Sequence, residues 1–246
     1  MALPIYSMQI IKEITDSIKL NDPNKRYRMI SLGYPDIIAN KDTLNRIFGY
    51  DVCQNVKYHS DSASIIKWHN ASDITEGIPN ADEVFNELGF DLDIIDIVKA
   101  RGDERIVDLN TPLPDDLKEQ YDLLIDAGTI EHCFNIAQAI KNISEMVNVG
   151  GYIFHINPLS LVNHGFYNLN PTFYYDFYLE NGFEVVFNEG IIDQARDPKT
   201  FTLHHFKRFN DIPNEACNLV VAQRKERKDI VWPTQYKYKV NSHLKG

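Results

Sequence analysis

Cysteine, basic residues and long apolar runs are all in short supply, and each shortage excludes something. The 246 residues include three cysteines, Cys53, Cys133 and Cys217. An odd, widely spaced set with no CxxC pair supports neither a disulfide framework nor a cysteine zinc site, and fits a reducing, cytoplasmic setting. No stretch approaches the roughly 18 apolar residues of a membrane-spanning helix, and neither the charged region nor the apolar region of a signal peptide stands at the N-terminus. Against 25 Lys and Arg stand 35 Asp and Glu, a formal net charge of −10. The imbalance is concentrated in residues 1–223, at −15, because residues 224–246 carry seven basic residues and two acids. Such an acidic body argues against nucleic acid as a partner, since phosphate binding needs a basic footprint. The sequence also has no GxxxxGK[ST], GxSxG or GxGxxG pattern, which removes the P-loop, the serine-hydrolase elbow and the common nicotinamide-binding turn.

What remains is an α/β pattern. Ile10, Ile11, Ile14 and Ile18 share one face of a helix that the Asp22-Pro23-Asn24 run stops. Residues 28–33 read as a first strand ending in the turn Gly33-Tyr34-Pro35-Asp36. The stretch 37–90 is least regular, with short helices at 42–48 and 81–88 and either helix or loop at 59–69, and it reads as an insertion. From Leu92 the order is regular. Strands over 92–97, 105–109 and 122–125 each deliver a carboxylate at the C-terminal end (Asp96, Asp108, Asp126), the edge where open parallel sheets bind ligands. A helix capped by Asn135, with Gln138 in the capping-box position and Gly150 as a left-handed stop, leads to a strand over 151–156. Asn170-Pro171 opens another helix, and strands at 183–187 and 218–223 flank a long loop over 193–213. One domain over 1–223 with an insertion at about 37–90 is expected, followed by a basic tail, read as a solvated arm or as packing on an acidic neighbour subunit.

The segments Asp108-Leu-Asn-Thr-Pro-Leu-Pro114, Tyr121-Asp-Leu-Leu-Ile-Asp-Ala-Gly-Thr-Ile-Glu-His132, Val149-Gly-Gly151, Asn163-His-Gly-Phe-Tyr167 and Asn181-Gly-Phe183 resemble, in this order, a family of class I S-adenosylmethionine (SAM)-dependent methyltransferases associated with bacterial surface-polysaccharide and capsule biosynthesis. The resemblance covers about residues 28–187. It implies a Rossmann-like, mostly parallel seven-stranded sheet, with the insertion between the first two strands, and SAM as cofactor. It further implies methyl transfer to a hydroxyl of a small polar acceptor, a sugar or a nucleotide-activated or phosphorylated intermediate. The alternative is a non-catalytic member of the fold that scaffolds a biosynthetic complex. A homo-oligomer is left open.

The resemblance, taken with the chemistry of SAM, implies roles for the residues at the strand ends. The ribose diol of SAM calls for a carboxylate after the second strand, Asp96, with Asp93 as the neighbouring option, and the adenine amino group for an acceptor such as Asp108, next to Leu109. Asp126, Ala127 and Gly128 are placed beside the methionine part, with Glu131 and His132 facing the methyl group. The usual glycine-rich first turn is reduced to Gly33, and Tyr34 and Asp36 are expected to substitute, Asp36 accepting from the α-amino group. His132 and His164 are the candidate bases for the acceptor proton, because imidazole titrates near neutrality. Phe166, Tyr167, Phe173, Tyr174 and Tyr178 are either a stacking surface or core. The pairs His59 with His69 and His204 with His205 lack ligand spacing, so no metal is expected.

Overall fold

A computed structural model describes residues 2–20, 22–101, 103–192, 197–204 and 207–240. In chain order the elements are β1 (Ala2–Pro4), α1 (Ile5–Lys19), β2 (Tyr27–Leu32), β3 (Asp36–Ile38), α2 (Lys41–Phe48), α3 (Ser62–Trp68), α4 (Ala81–Glu87), β4 (Phe90–Asp96), β5 (Arg105–Ile106), β6 (Tyr121–Asp126), α5 (Ile136–Met146), β7 (Val147–Pro158), α6 (Pro171–Glu180), β8 (Phe183–Ile192), β9 (Lys199–Thr202), β10 (Cys217–Arg224) and α7 (Tyr236–Val240).

The main sheet runs β5-β4-β2-β6-β7-β10-β8-β9. Strands β5, β4, β2, β6 and β7 are parallel to one another, and β10 is antiparallel to both β7 and β8. The fold is Rossmann-like and mostly parallel, as the strand pattern implied, with eight strands in place of seven. The eighth is β9, which lies inside the segment expected to be loop and pairs antiparallel with β8, Gly190 opposite Phe201. Its Thr-Phe-Thr core has the β-branched and aromatic composition of an edge strand, too short to stand out by periodicity. Residues 193–196 and 205–206 of that segment lie outside the described residues.

Alternating side chains of the central strands feed two cores, one on each face. Met29, Leu123 and Ile125 join Ile11 and Ile14 of α1 and Phe85 of α4. Ile30, Leu124 and Ile153 pack instead with Ile140 and Ile143 of α5 and Phe177 of α6. This division explains why the strands read as near-continuous apolar runs: a parallel sheet is covered on both sides. Between β2 and β4, β3 pairs in parallel with the N-terminal β1, and Ile38, Ile65, Ala71, Ile74 and Ile78 close a separate small core.

Local expectations fare unevenly. Asn135 does cap α5, its Oδ1 accepting from the Gln138 amide. Gln138 does not reach back to complete a box; it donates to Asn142 Oδ1 at 2.7 Å, and Asn110 Oδ1 accepts from the Asn135 N–H instead. Nor does Gly150 stop the helix. Helix α5 ends at Met146, and Gly150, with φ of 89°, lies within β7. The strand expected over 105–109 pairs at only two residues, because Asp108 folds the chain into a turn in which its Oδ1 accepts from the Asn110 N–H at 2.9 Å. As far as residue 240, the basic tail is not a free arm. Asn181 Oδ1 accepts from Val231 N–H, Lys239 pairs with Glu180, and Arg224 is buried against Glu119. The positive charge answers acids of this same chain.

A Cβ at Gly151 would lie 2.7 Å from Val147 Cγ1 and 3.0 Å from the Asp122 carbonyl oxygen. Overpacking a covered strand in this way costs about 1–3 kcal/mol. Gly151→Ala should therefore lower the urea midpoint with an unchanged m-value, whereas a change in m would point to an altered compact state.

Candidate active site

Strand order reverses between β2 and β6, and open α/β sheets bind ligands in the crevice outside the carboxyl ends at such a point. A cavity of about 330 Å³ opens there. Its floor is Leu32 and Gly33 at the end of β2. One wall is Ile95, Asp96 and Ile97 from β4, another is Val107 to Asn110 after β5, and the third is Gly128, Thr129, His132 and Cys133 after β6. Apolar walls with a few convergent polar groups are the usual make-up of a small-molecule site.

Of the residues singled out in the sequence, Gly33, Asp96, Asp108, Leu109, Gly128 and His132 line this cavity. Asp96 is fixed by its own backbone: Oδ1 accepts from the Ile97 N–H at 2.6 Å and the Val98 N–H at 3.2 Å. Asp108 is held in its turn by Asn110, whose side-chain Nδ2 donates to Oδ1 at 2.8 Å. Asp93 is not in this cavity. It points away, accepting from Arg28 Nη2 and from the Tyr121 hydroxyl, both at 2.8 Å.

Asp36 and Tyr34 also lie elsewhere. Asp36 is buried in β3 and takes Arg101 Nη2 at 2.8 Å, with His69 Nε2 4.0 Å away. Tyr34 donates to Asp82 Oδ1 at 3.2 Å and accepts from the Ala81 N–H. Tyr34 ties the start of α4 to the end of β2, and Asp36 is engaged by Arg101, so neither side chain lines the cavity beside Gly33. The Gly33 N–H is likewise taken, by the Ile95 carbonyl at 2.7 Å.

Asp126, Ala127 and Glu131 follow the same strand end but sit beneath the cavity wall. Asp126 is fully buried. Its Oδ1 accepts from the Thr129 and Ile130 N–H groups, and its Oδ2 meets His155 Nδ1 at 2.7 Å and accepts from Asn157 Nδ2 at 3.0 Å. Asn157 Nδ2 also donates to Glu131 Oε2 at 2.9 Å, while its Oδ1 accepts from the Tyr174 hydroxyl. His155 Nε2 lies 2.6 Å from the Tyr178 hydroxyl. Tyr174 and Tyr178 are thus core residues, and their hydroxyls are the outer members of a buried polar network. Burial, then repulsion from Asp126, pushes the Glu131 carboxyl up to about 8.

On the solvent side of Glu131 stand the two sequence-selected histidines. Glu131 Oε1 is 3.5 Å from His164 Nε2 and 3.9 Å from His132 Nε2, and the two rings are 5.2 Å apart. Each histidine side chain is about half exposed, 46% for His164 and 50% for His132. Burial, and then the neighbouring His164, lowers His132 below the ordinary imidazole value, which favours its neutral form. His164 does not line the cavity at the β2–β6 reversal; it lines a broader one of about 750 Å³ with Leu161, Asn163 and His69. Outside the rings lies an exposed edge-to-face pair, Phe134 and Phe166, with centroids 5.3 Å apart. The other histidine pairs do not converge: His59 packs edge-on to Tyr34, His69 faces Asp36, and His205 lies outside the described residues.

Sequence reasoning missed His155 and Asn157 as site-building residues. Their signal is two strongly polar side chains inside a buried strand, which an apolar pattern leaves unexplained unless a partner is present.

No protein-family model and no curated protein matches the chain. Among solved structures it is similar to a 1,6-didemethyltoxoflavin-N1-methyltransferase of Burkholderia thailandensis, crystallised with 1,6-didemethyltoxoflavin and S-adenosylhomocysteine, at 8% identity and a TM-score of 0.45, over 89% of this chain and 79% of that one. It is also similar to a SAM-dependent methyltransferase from Aquifex aeolicus, at 11% identity and a TM-score of 0.35, over 87% and 97%. A third is the trans-methyltransferase CalH in complex with SAH, at 13% identity and a TM-score of 0.46; this chain spans 55% of its length.

The two sets of carboxylates should separate in mutagenesis. Asp126→Ala strands several buried donors at about 1–3 kcal/mol each and should cost at least about 3 kcal/mol in chemical denaturation. Asp96→Ala, at an open wall, should cost no more than about 1 kcal/mol. Equal losses would contradict this division.

Proposed function

We propose that the chain is a SAM-dependent methyltransferase acting on a hydroxyl of a small polar acceptor. The observation that carries the proposal is the cavity at the strand-order reversal, with Asp96 on the β4 wall and Asp108 after β5, two acceptors of the kind that a ribose diol and an exocyclic amine call for. Ile95, Ile97, Val107 and Leu109 supply the apolar surface for the base between them.

SAM, when bound, supplies a methyl group on a sulfonium centre, open to in-line attack. The residues of this chain bind, orient and manage a proton. Asp96 and Asp108 would hold the adenosine. Gly33, at the floor, and Gly128 and Thr129, on the β6 wall, would line the methionine part, and Asp36, engaged by Arg101, would not reach it. Aligning an acceptor oxygen with the methyl carbon is the main catalytic task, and a hydroxyl must also lose its proton. Glu131, His132 and His164 form the polar cluster beside the cavity that handles this proton, and the exposed Phe134 and Phe166 rings offer an acceptor an apolar face. The resemblance favours a sugar or an activated or phosphorylated intermediate as that acceptor. A scaffolding role through the tail is less well supported, since its described part packs on its own chain.

Calorimetric titration with S-adenosylhomocysteine should give one site per chain. Asp96→Ala should weaken it roughly ten- to hundredfold, the equivalent of charge-assisted hydrogen bonds worth about 1.5–3 kcal/mol. Absence of binding to the wild-type chain would overturn the proposal.

A further inference from the structure

Glu131 poses a problem that the polar network does not solve. Its Oε2 is satisfied by Asn157, but Oε1, fully buried, has no hydrogen-bond partner. A buried carboxyl oxygen without a hydrogen-bond partner is costly unless a proton or a cation meets it. The only groups facing Oε1 within 4 Å among the described ion pairs are the Nε2 atoms of His132 and His164. Each atom is ligand-competent, and the three lie within 4.8 Å of one another.

We infer that Glu131, His132 and His164 form a binding site for a first-row divalent cation of the zinc class. Tetrahedral zinc with N and O ligands near 2.0–2.1 Å sets its donors about 3.4 Å apart. The Glu131 Oε1 separations of 3.5 and 3.9 Å need only a small inward turn of two half-exposed imidazoles. The donor set of two imidazoles and one carboxylate is one that zinc-class ions accept. It leaves a position open, as catalytic sites do. Support around the ligands is in place. Asn157, held by Tyr174, fixes Glu131 through Oε2 and leaves Oε1 to the ion, the outer-shell arrangement that orients a ligating carboxylate. Two glycines make room for it: a Cβ at Gly165 would lie 2.8 Å from the Glu131 carbonyl oxygen and 2.9 Å from its Cγ, and one at Gly128 would lie 3.3 Å from Oε1.

Resting on the methyltransferase proposal, the open position is for the acceptor. His132 lines the cofactor cavity and His164 the broader one beside it, so an ion between them faces both. An ion-bound hydroxyl releases its proton to solvent more readily. Its oxygen then forms the new O–C bond with the methyl carbon, while the C–S bond breaks and its electron pair stays on sulfur. In this state the imidazoles are ligands, and neither is the base.

The test uses the untagged full chain stripped with chelator, titrated with Co²⁺ followed by visible absorption and with Zn²⁺ followed by calorimetry. One equivalent of each should bind, and His132→Ala, His164→Ala and Glu131→Gln should each weaken uptake roughly tenfold or more. Both histidines are half exposed, so their variants should stay folded, as circular dichroism would verify. Failure of the wild-type chain to take up either ion in a one-to-one complex, or unchanged uptake in both histidine variants, would overturn the site. S-adenosylhomocysteine binding measured in chelator judges the methyltransferase proposal separately, because Asp96 and Asp108 do not depend on the ion.

Discussion

The Asp126 carboxylate is the constraint on which the rest of the site depends. It is buried at the tip of the central strand β6, and it accepts from two backbone amides of the next turn, from Asn157 and in contact with His155 on β7. One group thereby sets the path of the 127–133 segment, which supplies a cavity wall, and joins it to the neighbouring strand. A buried carboxylate is tolerable only when fully answered, and here the answers come from His155, Asn157 and the start of a helical turn. Through Asn157 the same network reaches Glu131, and through Tyr174 and Tyr178 it reaches α6.

That arrangement divides the region into two halves with different chemistry. The side toward β4 and β5 is an apolar slot with Asp96 and Asp108 on its walls. The side toward β7 is polar, with Glu131 below and two half-exposed imidazoles above. Gly128, with φ of 93°, stands where the two meet, a left-handed turn that lets the chain leave β6 and pass close over Glu131.

Much of the fold was legible because its signals were local. Ile10, Ile11, Ile14 and Ile18 announced α1 by spacing, and the acids at 96 and 126 marked two strand ends of a parallel sheet, while Asp108 lies in the turn just past a third. Signals that depend on partners far along the chain were not legible. Asp126 and Glu131 looked like ligands because they stand at a strand end, yet whether they face a cavity or the interior depends on His155, Asn157 and Tyr174, up to 48 positions away. Asp36 looked like a substitute for lost glycines, but Arg101, 65 positions on, claims it. Strand β9 was hidden because an edge strand of four residues borrows its order from β8. The basic tail looked solvent-borne because its acidic partners, Glu119 and Glu180, are remote in sequence.

Whether the crevice at the β2–β6 reversal holds SAM, as proposed, can be decided by a crystal structure with S-adenosylhomocysteine bound. The predicted result places the ribose against Asp96 and the adenine between Ile97 and Leu109, with the sulfur toward Gly128 and His132. Nucleoside density elsewhere, for instance in the broader cavity beside His69 and His164, would contradict it.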